Sequence, residues 1–308
     1  MLPAFGLQAV FTHWEFAPVV TVAVALTGAA YLWGVWRVAR RHPARPWPWW
    51  RTALFFAGLA VVVLATQSGI GAYDDVLAWD HMVQHLLLIM VAAPLFAIAS
   101  PIELAWKSTT GTAHIAVTEV LRSGVAKFFG HWAVAFVLYA VLIPISHLTT
   151  WYNLTLENDG LHNAEHFAFL LVGYMFWRQI FGNDPNCYRM HPAMQFFYLF
   201  MAIPIDTFTG LSLAGATKEM FPAYVATHRT WGPSYVNDLH IGGSIMWVVG
   251  DTLMLWPMIP VALRWMHQEE RKAERIDREL DAQALAEQGD ASQPRSINST
   301  RTPSGSVQ

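Results

Sequence analysis

Seven apolar stretches, each long enough to cross a lipid bilayer, constrain the fold of this 308-residue chain more than any other feature. A transmembrane helix needs about 20 mostly apolar residues. The stretches lie at about residues 16–38, 52–71, 82–100, 131–150, 162–181, 192–214 and 239–263. Only 13% of the residues are charged, against about 25% in an ordinary soluble domain. Because backbone in lipid must satisfy its own hydrogen bonds, the pattern predicts an all-α membrane protein, a bundle of seven transmembrane helices.

The distribution of basic residues predicts the orientation of this bundle. Of the 19 Lys and Arg residues, 17 fall in the loops after the first, third and fifth stretches or in the C-terminal tail. The opposite side keeps only Lys218 and Arg229. Because short cytoplasmic loops are enriched in Lys and Arg, we expect the N-terminus outside and the C-terminus in the cytoplasm.

Composition also predicts two parts of the chain. Residues 1–265 are expected to form the polytopic membrane domain, and residues 266–308 a cytoplasmic part. Within the latter, residues 266–284 predict an extension of the last helix, whereas the Ser- and Gln-rich tail from about 285 predicts disorder. Residues 102–128 mix apolar and charged positions, which predicts an amphipathic helix on the inner membrane surface.

Histidines recur where the third, fifth and seventh stretches begin. The five residues in question are His81, His85, His162, His166 and His240. All three stretches start on the predicted outer side, so the five imidazoles are expected at similar depth, and His147 near the outer end of the fourth could join them. Residues four apart share a helix face, and imidazole is the commonest metal ligand. The pattern favours a metal or haem site, with a metal-free hydrogen-bonded cluster as the alternative.

Neighbouring side chains bear on the identity of the metal. Imidazole suits copper, zinc and iron, and the thioether of Met82 beside His81 favours copper, while zinc stays open. Haem is the rival cofactor, but its axial ligands usually lie inside a bundle, and these histidines lie at the interface. Asp80, Glu165 and Asp238 are expected to orient the imidazoles as hydrogen-bond acceptors, or to be solvated interfacial carboxylates.

Two further carboxylates, Asp206 and Asp251, fall within the sixth and seventh stretches. A charge at that depth costs several kcal/mol by some scales, so each carboxyl must be protonated, paired or hydrated. One interpretation is a proton or ion relay beneath the metal site. The other is a polar clamp between helices, with each carboxyl bonded to Thr207, Thr252 or a backbone carbonyl.

Three segments resemble a known family, the CtaG family of Gram-positive-type cytochrome c oxidase assembly factors. The most specific is Asp80-His81-Met82-Val83-Gln84-His85-Leu86-Leu87-Leu88, which runs on to Pro94. The segments His162-Asn163-Ala164-Glu165-His166 and Asp238-Leu239-His240 are similar to the second histidine segment and the last span of that family. The resemblance covers about residues 15–265.

This resemblance implies a multi-pass protein of the bacterial plasma membrane that helps to form an active haem–copper oxidase by handling copper. We therefore expect an assembly factor rather than an enzyme. Its expected partners are cytochrome c oxidase subunits, a metal ion and the lipid bilayer, with no nucleic acid. Two alternatives stay open: a haem- or metal-binding membrane redox protein that uses Asp206 and Asp251, and a metal-free scaffold for oxidase subunits.

Overall fold

The computed structural model describes residues 3–6, 8–185 and 190–292, with side chains described as far as residue 285. All regular secondary structure in these ranges is helical, which confirms the all-α prediction. The chain divides into two compact units, Met1–Val261 and Ala262–Gln308. The domain boundary that the sequence places after residue 265 stays a prediction.

Fifteen α-helices and one π-helical segment make up the described structure. In chain order they are α1 (Ala9–Thr12), α2 (Pro18–Arg41), α3 (Trp49–Gln67), α4 (Gly69–Tyr73), α5 (Ala78–Leu86), the π segment (Leu87–Ala92), α6 (Ala93–Ala99), α7 (Pro101–Ser108), α8 (Gly111–Arg122), α9 (Gly124–Gly130), α10 (Trp132–Leu148), α11 (Trp151–Glu157), α12 (Asp159–Phe181), α13 (Pro192–Ala214), α14 (Pro222–Ala226) and α15 (Tyr235–Ser292).

Among the residues described, five helical stretches are long and apolar enough to cross a membrane. They are Pro18–Arg41, Trp49–Tyr73, Ala78–Ser108, Pro192–Ala214 and Tyr235–Leu285. Helices α9 and α10 meet at 63° and add a sixth if they form one span. The predicted fifth span is helix α12, which is 23 residues long but is not apolar enough to be counted with these five. The seven-span count and the orientation of the termini therefore stay predictions.

Two segments differ from their predicted form. Residues 102–128, which were expected to include an amphipathic helix, contain the three short helices α7, α8 and α9, and their place on the inner membrane surface stays a prediction. In the second unit, α15 remains helical to Ser292, past the expected end at residue 284. The rest of the predicted disordered tail, residues 293–308, lies outside the described residues, as does Arg189, which the charge count includes.

The π segment owes its geometry to Pro94. The Ala93 N–H donates to the carbonyl of Leu88, five residues back, and the next bond in this register would need an N–H that proline lacks. The carbonyl of Ile89 thus loses its backbone donor, and the indole Nε1 of Trp177 donates to it at 2.7 Å. This bond ties α12 to the helix turn that follows the two α5 histidines.

A close approach of backbones reinforces this contact at Gly173 of α12. A Cβ atom at this position would lie 2.8 Å from Ile89 Cγ1 and 2.9 Å from Ala93 Cβ. Small residues commonly permit such contacts between membrane helices. The N-terminal half of α12 consequently lies beside α5.

Candidate metal centre

Four of the five predicted histidines converge in the structure, two from α5 and two from α12. The Nε2 atoms of His81 and His85 lie 2.9 Å apart. The ring of His81 stacks on His162 with centroids 5.0 Å apart, and His162 lies 4.2 Å from His166 by the same measure. Each pair is one helical turn apart, so the packing of two helices is enough to bring all four imidazoles together.

A carboxylate completes the deeper half of this cluster. Glu165 Oε2 lies 3.9 Å from His81 Nε2 and 3.8 Å from His85 Nε2. The atoms of these three side chains that could ligate a metal lie within 4.8 Å of one another. Both oxygens of Glu165 are buried, and neither makes a hydrogen bond within the described residues. We call these three residues the inner group. A buried carboxylate that lacks donors and faces two imidazole nitrogens suits the position of a cation.

The tautomer of His85 follows from its partner His147 on α10. The Nδ1 of His147 lies 2.8 Å from the carbonyl oxygen of Ile143, and a carbonyl only accepts, so this nitrogen carries the proton of the neutral ring. Its Nε2, 3.2 Å from His85 Nδ1, must then accept from His85. The lone pair of His85 is therefore on Nε2, toward the other members of the inner group, as a metal ligand requires.

The shallower half of the cluster contains an acid that the sequence analysis missed. Asp74, His162 and His166 have donor atoms within 4.8 Å of one another, and we call them the outer group. Gln84 Nε2 donates to Asp74 Oδ2 at 2.5 Å and to the Ala65 carbonyl at 3.0 Å, which leaves Gln84 Oε1 to accept from His166 Nε2 at 2.8 Å. One amide thus positions two members of the outer group.

Access from water is on the side of the outer group. Asp75, with a side chain 55% exposed, has its Oδ1 3.8 Å from His162 Nδ1. Asp74 itself is buried, and this burial raises the pKa of its carboxyl well above the ordinary value, with a further increase from the charge of Asp75. An acid in this state ionises more readily when a cation lies beside it.

The structure does not bring His240 or Met82 to this cluster. His240 Nε2 lies 2.6 Å from the carbonyl oxygen of Ala216, and within the described chain its ring contacts none of the other four imidazoles. Met82 packs against α15 at Gly242. The Cγ of Met82 lies 3.1 Å from the position that a Cβ atom on this glycine would take. The candidate ligand atoms that do converge are therefore nitrogen and oxygen. The Met82 thioether, which favoured copper over other metals, is not among them.

Asp238 has a different role from the predicted orientation of imidazoles. Its carboxylate accepts from the backbone N–H groups of Ala78 at 3.2 Å and Trp79 at 3.1 Å, and it pairs with Arg229 Nη2 at 3.0 Å. An anion at a helix N-terminus satisfies free donors and the helix dipole, so Asp238 caps α5 and fixes its position. Asp80 is buried, and its oxygens make no hydrogen bond in the described structure.

The two carboxylates of the sixth and seventh stretches make contacts between helices. Asp206 accepts from the hydroxyl of Tyr139, with oxygen separations of 2.8 and 2.6 Å. Asp251 accepts from the hydroxyl of Thr207 at 2.7 Å. Both contacts are those of a polar clamp, and a relay role for these acids stays a prediction.

A known protein family matches most of this sequence. The family model of the cytochrome c oxidase caa3 assembly factor (CtaG) matches residues 29–268. The chain belongs to this family. The two histidine segments that resemble CtaG supply every member of the inner and outer groups except Asp74, and the third segment supplies the Asp238 cap of α5.

Curated relatives of this CtaG chain come from mycobacteria. It is 28% identical over 281 residues, 89% of its length, to uncharacterised proteins of Mycobacterium bovis and Mycobacterium tuberculosis. A protein of Mycobacterium leprae is 26% identical over 280 residues. The chain covers 42% of the length of each of these relatives. No solved structure matches it.

Proposed function

We propose that this CtaG protein binds copper at the histidine cluster and assists the loading of metal into a cytochrome c oxidase subunit. The observation that carries the proposal is the inner group, in which two imidazoles and a carboxylate without donors converge in a buried space. Membership of an oxidase assembly family supplies the recipient of the metal. The role is delivery, so the protein is proposed to act as an assembly factor and not as an enzyme.

The ligand atoms indicate which metal ion, and which oxidation state of copper, the site would bind. His81, His85 and Glu165 would hold the ion, and His147 would keep His85 in the binding tautomer. Imidazole and carboxylate donors suit divalent copper or zinc, whereas monovalent copper prefers sulfur ligands. We therefore propose divalent copper as the bound species, with zinc as the ion that competes for the same ligands.

The location of the site is part of the proposal. The charge bias of the loops puts the starts of α5 and α12 on the outer side of a bacterial plasma membrane. The oxidase subunit and the bilayer are then the surroundings of the protein, and a copper ion delivered from outside meets the cluster without crossing the membrane.

The experiment that tests this function is elemental analysis, with a visible spectrum, of protein purified in mild detergent from copper-replete cells. The test variant is the His81→Ala/His85→Ala double mutant, and His267→Ala, whose ring bonds to its own helix at the Leu263 carbonyl, is the matched control. We expect the double mutant to hold less copper than the wild type and the control, to remain in the membrane and to fail to support oxidase activity. Normal oxidase activity in cells that carry the double mutant would contradict the assignment.

The same preparation distinguishes the two alternatives. A haem protein would show a Soret band, although the direct stacking of His81 on His162 at 5.0 Å leaves no room for a porphyrin between these rings. A metal-free scaffold would contain neither metal nor haem and would tolerate both histidine substitutions with its oxidase partner still bound.

A further inference from the structure

We propose that the cluster binds two metal ions, one in the inner group and one in the outer group, and that the outer group is the entry site. This inference rests on the proposed function, because it takes metal binding by the cluster as given. It adds Asp74 as a ligand and assigns different tasks to the two histidine pairs.

The candidate metal ligands divide into two sets, and a different side chain orients each set. Each set has three side chains whose donor atoms lie within 4.8 Å of one another, two imidazoles and one carboxylate in both cases. The inner set is oriented by His147 through His85, whereas the outer set is oriented by Gln84 through Asp74 and His166. Two complete triads with independent orienting groups are more than a single ion needs.

One ion in the inner group would leave the outer group unsatisfied. The Nε2 of His162 is buried and makes no hydrogen bond in the described structure, although Asp74 Oδ2 lies 3.8 Å from it. A buried polar atom without a partner is costly. A cation between this nitrogen and the carboxylate of Asp74 satisfies both, just as a cation in the inner group satisfies Glu165.

Exposure decreases steadily from one set to the other. The side chain of Asp75 is 55% exposed, that of His162 12% and that of Asp74 5%, while Glu165 in the inner group is 1% exposed. The ring of His162 stacks on His81, so the two sets meet at these imidazoles. An ion that arrives from water therefore reaches the outer group first, and ligand exchange between stacked rings can pass it inward.

Each set has an anionic ligand of its own. Each set contributes one carboxylate, so two divalent ions do not share a single anion. Two-metal sites in other proteins hold their ions about 3.5–4 Å apart, and the imidazole centroids that join the two sets, at 5.0 Å for His81 and His162, are compatible with a separation of that order.

Copper stoichiometry is the direct test. Metal-free protein in detergent is loaded with excess Cu(II) salt, unbound ion is removed, and the bound copper is counted by elemental analysis. The variants are Asp74→Asn and His162→Ala for the outer group and Glu165→Gln for the inner group, with His267→Ala as the control. We expect two ions in the wild type and control, and one in each of the three variants.

Electron paramagnetic resonance of the same samples gives an independent readout. Two Cu(II) ions this close couple magnetically, so the wild type should show fewer uncoupled spins than copper ions. Each single-site variant should show one uncoupled spin for each copper ion.

The outcomes separate this inference from the proposed function. One ion in the wild type, retained in Asp74→Asn and His162→Ala, would overturn the two-ion proposal and leave copper binding by the inner group intact. Loss of all copper from Asp74→Asn and His162→Ala would also overturn it, because the six donors would then form one indivisible site. Absence of copper from the wild type would instead overturn the proposed function.

Discussion

Replacement of Glu165 by glutamine should lower metal affinity without lowering the stability of the metal-free protein. The amide has nearly the shape of the carboxylate, so the packing of α12 is preserved. Both oxygens of Glu165 are buried without a donor among the described residues, and its Oε2 lies 3.8 Å from His85 Nε2 and 3.9 Å from His81 Nε2. The carboxylate is thus poorly accommodated in the metal-free protein.

The magnitude for the metal-free protein follows from these contacts. An unsatisfied buried polar group costs about 1–3 kcal/mol. In Glu165→Gln the buried side chain is neutral, so the variant no longer buries a charge that lacks donors. We expect the free energy of unfolding of the metal-free variant to stay equal or to rise by about 1–2 kcal/mol, which is a part of that cost.

The affinity of Glu165→Gln for copper should decrease. Mutation of groups that only orient metal ligands lowers affinity about 10–100-fold, so loss of an anionic ligand should lower it by at least about 100-fold. At about 1.4 kcal/mol for each factor of ten, this is about 2.8 kcal/mol of binding free energy.

The assay compares unfolding and copper competition in one detergent. Thermal unfolding of metal-free protein, followed by tryptophan fluorescence, reports stability, and titration of Cu(II) against a chelator of known affinity reports binding at the inner group. The reasoning would be refuted by a metal-free variant that is less stable than wild type and binds copper with unchanged affinity, since Glu165 would then be a structural residue.

Three further substitutions test the supports of the site. Asp238→Asn leaves Arg229 without its anion and weakens the α5 cap, so it should reduce the free energy of unfolding by about 3 kcal/mol. The variant should still bind copper, and loss of copper at unchanged stability would contradict the capping role. His240→Ala should keep its copper by elemental analysis, because the ring bonds to Ala216, and copper loss would restore His240 as a ligand. Trp177→Phe removes the indole donor and should cost about 1–3 kcal/mol in thermal unfolding, whereas an unchanged melting temperature would show that the Ile89 carbonyl needs no donor.

The helical class and the equal depth of the two histidine pairs could be predicted from the sequence because both depend on short-range rules. Apolar length predicts spans, and a spacing of four places two imidazoles on one helix face. The shared starting depth of the third and fifth stretches then brings His81 and His85 level with His162 and His166. Contact between the two pairs also requires α5 and α12 to be neighbours, which depth alone does not give.

His240 shows where this reasoning by depth fails. Asp238 and Gly242 are four residues apart, so they share a face of α15, and both contact α5. His240 is two residues from each, which is a rotation of about 200° on a helix, so it is directed to the opposite face and to Ala216. Depth alone gives the level of a residue in the membrane, and the face depends on contacts that a single sequence does not reveal.

Asp74 could not be assigned because it lies in the turn between α4 and α5, outside any periodic pattern. Its place in the outer group depends on the Gln84 amide, three residues after His81 on α5. The one available signal was Gln84 itself, a polar side chain in an apolar segment between two candidate ligands. A polar residue in such a position needs partners, and the search for those partners leads to Asp74 and His166.

The modest apolarity of α12 has a physical explanation in the same site. Its first turns carry Asp159, His162, Glu165 and His166, and polar residues in a membrane helix are costly where they face lipid. Gly173 and Trp177 hold α12 tightly against the third span, so Glu165 is buried in protein and not in lipid. The helix that is least typical of a membrane span by composition is therefore the one that the fold secures by a close backbone contact and an indole hydrogen bond. Local sequence rules commonly fail at functional sites, and here the residues that lower the hydropathy of α12 are those that supply half of the candidate metal centre.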